Sequence, residues 1–273
     1  MTIANELRAI RGTGERIDED AEERAVARRA QRRLVAMEAR LALREPAGLI
    51  FGLAVPVLLL VVFGNIASFY QQQADLGGAT LLEVYLPLLI AMSLSLFGLI
   101  TMPVPLAVYR EQRILRRLAT TPVSPLRVLA AQFTVTTTMA LVALGLMLGI
   151  GAGFFGLTAP HQVAGFAVAV VLGLAGLFGM GLWIAAIAPS GRAAQFIGGG
   201  LFYPMQFLAG LWWPQQAMPA ALREVSQCSP LGALVDAMQE SMNGQFPDAK
   251  ELLVLAGYAV VFGCLAVRQF SWD

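Results

Sequence analysis

The chain has 273 residues, 57% of them hydrophobic and 14% charged, with a mean hydropathy of +0.66. That much apolar surface exceeds what one soluble core hides, which excludes an ordinary soluble enzyme and makes lipid the natural solvent. The net charge of +1 conceals strong segregation along the chain, and Cys228 and Cys264, the only cysteines, fit neither a disulfide framework nor a thiolate metal site.

Residues 1–45 form a charged arm. Within it "DEDAEERAVARRAQRRLVAMEARLALREP" is rich in Ala, Glu and Arg, and Leu34, Val35, Met37, Leu41 and Leu43 are interleaved with arginines. That pattern predicts a helix lying on the membrane surface, with a solvated cytosolic helix or a disordered arm as the alternative. The late start of the apolar sequence and the acidity of the arm argue against a cleavable signal peptide.

Residues 46–273 carry six apolar runs long enough for a hydrocarbon core of about 30 Å. They lie near 47–67, 84–106, 128–155, 162–187, 194–213 and 251–267, and the third has room for a re-entrant or kinked end. Pro56, Pro87, Pro103, Pro105 and Pro204 predict kinks rather than breaks, because neighbouring helices re-satisfy the carbonyls that proline frees. The strongest kink is expected at "TMPVPLAVY". Gly145, Gly149 and Gly153, then Ala175 and Gly179, and then Gly198 to Gly200 predict close helix contacts, within or between subunits.

Between the second and third runs stands "YREQRILRRLATTPVSPLRVL", with five arginines and two prolines at 109–129. Arg110, Arg113 and Arg117 recur at helical spacing, Ile114, Leu115 and Leu118 add an apolar surface, and Pro122 and Pro125 stop the helix. A rigid, charged docking helix follows, against the plainer reading of arginines that only set topology. Seventeen of the 19 basic residues fall on one side of the six-span map, leaving Arg223 and Lys250 on the other. The positive-inside rule then places both termini and this loop in the cytosol of a cytoplasmic-membrane protein. Outside lie 68–83, a short turn around His161 and the longer segment 214–250.

None of the six apolar cores carries Asp, Glu, Lys, Arg or His, which argues against a proton relay. Lys250, the only lysine, follows Ala249 and precedes Glu251, so no phosphate-cradling Gly-Lys-Ser/Thr loop exists. No catalytic residue, metal site or cofactor is expected in this chain, and no nucleic-acid partner. Uphill movement of a solute would draw its energy from a partner protein.

"YREQRILRRLATTPVSPLRVLAAQ" together with "FLAGLWWPQQAMPAALREVSQCSPLGALVDAMQESMNG" resembles the ABC-2 family of export permeases, particularly the drug-resistance type that includes the daunorubicin exporter permease. The resemblance implies an all-α integral membrane protein of six transmembrane helices with an N-terminal cytosolic interfacial helix, the ABC-2 (type V) exporter fold. It implies a coupling helix at about 109–122, formed or flanked by Tyr109, Arg110, Glu111, Arg113, Leu115, Arg116, Arg117, Leu118, Thr120, Thr121 and Pro122, docked on a separate ATPase subunit that binds ATP and Mg. It also implies short helices at 214–250 that dip back into the outer leaflet, and a second permease copy or related permease completing a dimer.

The expected function is therefore export of amphipathic drugs or lipids by a permease subunit that is not itself an enzyme. The alternative is a non-transporting sensor or assembly protein that docks a cytosolic partner through the same loop. Met92, Phe97, Phe202, Tyr203, Met205, Gln206 and Phe207 are the candidates for a substrate path, because an amphipathic ligand needs apolar walls with few polar groups. Trp212 and Trp213 serve either as interfacial anchors or as substrate guides.

Overall fold

The computed structural model describes residues 31–42, 48, 50–71, 80–112, 125–213, 215 and 218–269, apart from the side chains of 125 and 126. Every regular element among them is helical. In chain order they are α1 (31–42), α2 (Ile50–Gly64), α3 (Leu81–Glu111), α4 (Pro125–Phe155), α5 (Val163–Ile187), α6 (Gly191–Ala209), α7 (Ala220–Cys228), α8 (Pro230–Met242) and α9 (Ala249–Gln269).

Four of these, α3, α4, α5 and α9, are long and apolar enough to cross a membrane, while α2 is apolar but shorter. The predicted fifth run at 194–213 shifts: α6 begins at Gly191 and closes at Ala209. Gly210 causes that stop. With φ at 101° it takes the left-handed conformation that ends helices, and the Leu211 amide bonds back to the Gln206 carbonyl at 3.1 Å. Leu211, Trp212 and Trp213 therefore lie beyond the helix. The third run has no kinked end either, since α4 continues unbroken to Phe155 before Gly156, at φ 66°, turns the chain.

α3 is the central helix. Its most apolar window is 78% buried, against 61% in α5, 22% in α4 and 17% in α9, so α4 and α9 turn most of their surface outward. It starts with a capping box in which the Thr80 side chain accepts from the Glu83 amide and Glu83 accepts from the Thr80 amide. Midway, at Phe97–Thr101, it widens by one residue, and the Met102 amide bonds the Phe97 carbonyl at 2.9 Å.

Pro103 explains what surrounds that widened turn. Having no amide hydrogen, it cannot bond back to Gly98 or Leu99. The Gly98 carbonyl instead faces Gly181 of α5 and the Leu99 carbonyl faces Gly198 of α6, so closely that a Cβ on either glycine would overlap the oxygen. Only a glycine lets a backbone approach that near and offer a Cα–H to the freed oxygen.

The small-residue stripes divide accordingly. Gly179 packs on α9, where a Cβ would stand 3.3 Å from the Gly263 nitrogen. At Gly145, Gly149 and Gly153, for which contacts within or between subunits are both open, no atom of the described residues lies within 4 Å of a Cβ built there. Their stripe lies on outward-facing α4, whose most apolar window is only 22% buried among the described residues.

Candidate functional site

Three consecutive residues close α3: Tyr109, Arg110 and Glu111. Each reaches a different helix. Tyr109 donates its hydroxyl to both carboxylate oxygens of Glu38 on α1, at 3.0 and 3.2 Å, and Glu38 is only 3% exposed. Arg110 donates to the carbonyls of Ala185, at 2.7 Å, and Ala186, at the end of α5 where the last turn leaves acceptors unsatisfied. Glu111 accepts from the amide of Gly191, the first residue of α6, at 3.1 Å. A carboxylate at a helix start and a guanidinium at a helix end both complement the local dipole.

α1 is tied down a second time. The Gln31 amide donates to the Arg127 carbonyl of α4 at 3.3 Å. The last turn of α3 thus gathers α1, α5 and α6, and the Arg-rich segment follows it directly in the sequence. Arg113, Leu115, Arg116, Arg117, Leu118, Thr120, Thr121 and Pro122 lie outside the described residues.

Above this junction α2, α3 and α6 border a half-open cavity of about 400 Å³ lined by Gly48, Phe51, Leu96, Ile100, Thr101, Val104, Pro105, Gln195, Phe202 and Tyr203. A smaller one of about 180 Å³ shares Gly48, Thr101, Val104 and Pro105 with it and runs to Glu38, Tyr109 and Gln132. The two volumes meet along the proline-bearing part of α3, so cavity and junction share a wall. Its polar groups are few: Thr101 and Gln195 above, Glu38, Tyr109 and Gln132 below.

Residues 31–243 match the sequence pattern of the family described as ABC-2 type transporter. The chain belongs to that family. It is a transmembrane permease component of an ABC transporter, and such permeases work with an ABC ATPase subunit. No curated protein matches the sequence.

Against this ABC-2 background the sequence candidates separate. Phe202 and Tyr203 line the larger cavity, and Tyr203 is 64% exposed. Met92, Phe97 and Met205 are core residues instead, and the Phe97 ring sits 2.8 Å from where a Cβ on Gly52 would be. Phe207 is partly exposed, and Trp212 and Trp213, at 60% and 42% exposed, stand on the surface beyond α6. Gln206 is fully buried: its amide donates to the Ser95 hydroxyl at 3.1 Å, which donates to the Met92 carbonyl at 2.8 Å, while its oxygen has no partner. Missed were Phe51, Ile100, Thr101 and Gln195. The signal was present in "TMPVPLAVY", whose Thr101, Val104 and Pro105 line both volumes, but without α2 and α6 in place it names no cavity.

Residues 220–242 of the ABC-2 permease form α7 and α8, both well short of a membrane crossing. α8 begins with Ser229, whose hydroxyl accepts from the Gly232 amide at 3.0 Å, and carries Pro230 in its first turn. It inserts between α3, α5 and α9 with Leu231, Leu234, Val235 and Met238 fully buried or nearly so. Gln215 bridges it to what precedes: with its amide nitrogen turned toward Asp236 it donates to both carboxylate oxygens, at 2.5 and 3.2 Å, and accepts from the Ser226 hydroxyl at 2.9 Å. Burial, with Glu251 and Glu240 nearby, pushes Asp236 up to about 7. The expectation that no ionisable group enters an apolar core needs correcting at Glu251, which stands in the first turn of α9 and is 7% exposed.

Proposed function

We propose that this ABC-2 permease component exports amphipathic molecules, drugs or lipids, across the cytoplasmic membrane as one of two permease subunits, driven by a separate ATPase subunit that binds ATP and Mg. In this reading both termini are cytosolic, the described helices contribute to six spans, and 109–122 is the coupling element. The observation that carries it is the shared wall between the largely apolar cavity of about 400 Å³ and the three-residue junction at the end of α3. A ligand there touches Thr101, Val104 and Pro105, one to two helical turns from Tyr109 and Arg110.

Movement of the coupling element under ATP then reaches α1, α5 and α6 together. A pocket of this size with apolar walls and a few polar atoms suits a drug-sized amphiphile. The outward face of α4, uncovered among the described residues, and the exposed Phe196 and Tyr203 of α6 leave surface for lipid and for a second permease.

The test is the Leu115→Asp variant at matched expression. Truncation or charge at an interface centre typically costs about 2 kcal/mol or more, so the variant is expected to insert normally, lose capture of the ATPase and lose transport. Normal capture with normal transport would reduce the arginine-rich loop to a topology signal and favour a non-transporting membrane protein.

A further inference from the structure

Where α8 hands over to α9, three acidic side chains converge. Glu240 lies in the last turns of α8, Asp248 precedes α9 and Glu251 is in its first turn, and a carboxylate oxygen from each lies within 4.8 Å of the other two. Glu251 is 7% exposed; its carboxylate hydrogen-bonds the Asp248 backbone and the Glu240 side chain, and its Oε2 is buried with no hydrogen-bond partner among the described residues. A buried carboxylate with one oxygen left without a partner, packed against two more carboxylates, is an expensive arrangement unless a cation or a proton is held there. Lys250, next in the chain, does not fill that role: its ammonium donates to Gln227 at 2.7 Å.

We infer that Glu240, Asp248 and Glu251 form a binding site for a hard divalent cation of the Ca²⁺ type. Oxygen-only ligands select such ions, and three carboxylate oxygens all within 4.8 Å of one another can reach a single ion at Ca²⁺–oxygen distances of about 2.3–2.6 Å. Mg²⁺, which demands near-octahedral geometry and loses water reluctantly, suits a three-carboxylate site less well. The backbone already shapes the site, since the Asp248 amide donates to Glu240 at 2.9 Å and Gly244, at φ 85°, turns the chain between the helices. With an ion bound, the buried α8 is fastened to the start of the last long helix. In the topology proposed above the site faces outside, where millimolar divalent cations are available, although the binding itself does not depend on that topology or on export.

The experiment is thermal unfolding of the purified full chain in detergent at constant ionic strength, with chelator, CaCl₂ or MgCl₂. Saturable stabilisation by Ca²⁺ is expected, about 2–4 °C or more at saturation with half-effect near 10⁻⁴–10⁻³ M, and less by Mg²⁺. Glu251→Gln and, independently, the exposed Asp248→Asn should lose the Ca²⁺ shift, while Glu224→Gln, an exposed carboxylate on α7, should keep it. Should Glu251→Gln not fold, Asp248→Asn alone decides. No Ca²⁺ shift in the wild-type chain, or an equal shift in both site variants, overturns the site. A proton shared between Glu240 and Glu251 in place of a cation would appear as pH-dependent, Ca²⁺-independent stability, which also overturns it. The outcome is independent of the ATPase capture assay, so failure of one leaves the other standing.

Discussion

Arg110, in the last turn of α3, donates to the carbonyl oxygen of Ala185 at 2.7 Å and so caps the end of a helix 75 residues further along the chain. With the Ala186 carbonyl taken by the same nitrogen, the guanidinium serves as the C-terminal cap that α5 lacks in its own sequence, which offers no basic residue in its last turn. Hydrogen bonds to a charged donor contribute about 1.5–3 kcal/mol. Arg110→Ala is therefore expected to lower the unfolding midpoint in detergent by several degrees and to uncouple ATP hydrolysis from transport. Arg110→Lys recovers only part, because an ammonium is more strongly hydrated than a guanidinium and loses more on leaving water. An unchanged midpoint and coupling in Arg110→Ala would remove this residue from the junction.

Gly198 and Gly199 give opposite outcomes for the same substitution. A Cβ at Gly198 would run into the Leu99 carbonyl oxygen, which is backbone and has little room to retreat, whereas at Gly199 the nearest atom is the end of the Tyr203 ring at 3.9 Å. Gly198→Ala should cost about 1–3 kcal/mol as an overpacked contact. Gly199→Ala should be neutral or stabilise by about 0.5–1 kcal/mol through helix propensity. Midpoints of the two variants measured side by side check the contrast, and equal effects would refute the account of the widened turn.

Much of this was legible beforehand, for identifiable reasons. Composition alone requires a membrane protein, and the charge map, the prolines of "TMPVPLAVY" and the two motif blocks lead to the ABC-2 family that the sequence pattern then shows. The helix boundaries that failed did so where single glycines decide. Gly210 cuts the fifth run short, and hydropathy does not register a left-handed φ. Contact partners were illegible for a different reason: Gly198 and Gly145 look alike as small residues in apolar runs, yet one meets a carbonyl freed by Pro103 and the other meets no atom of the described residues. Of the ten cavity-lining residues only Phe202 and Tyr203 were found, because they are distinguishable as aromatic residues, whereas Thr101 and Gln195 matter only through where the helices stand.

Asp236 should make stability depend on pH. Its carboxyl is raised to about 7, first by burial and then by Glu251 and Glu240, whereas in an unfolded chain it titrates near 3.9. Between those values the folded protein keeps a proton that the unfolded chain has released. Its contribution is therefore full below about pH 4 and is lost as pH rises through about 7. In thermal unfolding across that range, with chelator present so that no cation competes, the wild-type midpoint should fall and Asp236→Asn should flatten the fall. An identical slope in the variant would show that another group titrates.

The membrane orientation has a direct check. Cys228 and Cys264 are both exposed and would be replaced by Ser first. In intact cells, an impermeant thiol reagent should then label Gln245→Cys but not Ser124→Cys, because the positive-inside rule assigns the arginine-rich loop to the inner side. Labelling of Ser124→Cys from outside reverses the map, and with it the side from which an ATPase reaches the loop.

Thr101 offers the sharpest test of the cavity as a transport path. It lies in the widened turn of α3, lines both volumes, and carries the methyl group that a Cβ on Gly48 would meet at 3.2 Å. Thr101→Phe would place a ring where the two volumes join without touching the Tyr109, Arg110 and Glu111 contacts below. If amphiphiles pass through this space, their stimulation of ATP hydrolysis and their transport should fall by about tenfold or more, the effect of losing about 1.4 kcal/mol of binding. Capture of the ATPase subunit and its basal hydrolysis should stay unchanged, because the junction is intact. Thr101→Val keeps the volume and removes the hydroxyl, so it should transport apolar substrates like the wild type and distinguish blockage from a lost hydrogen bond. Normal transport by Thr101→Phe at normal expression would mean that the cavity is a packing void and that the path runs elsewhere, on the outward faces of α4 and α6.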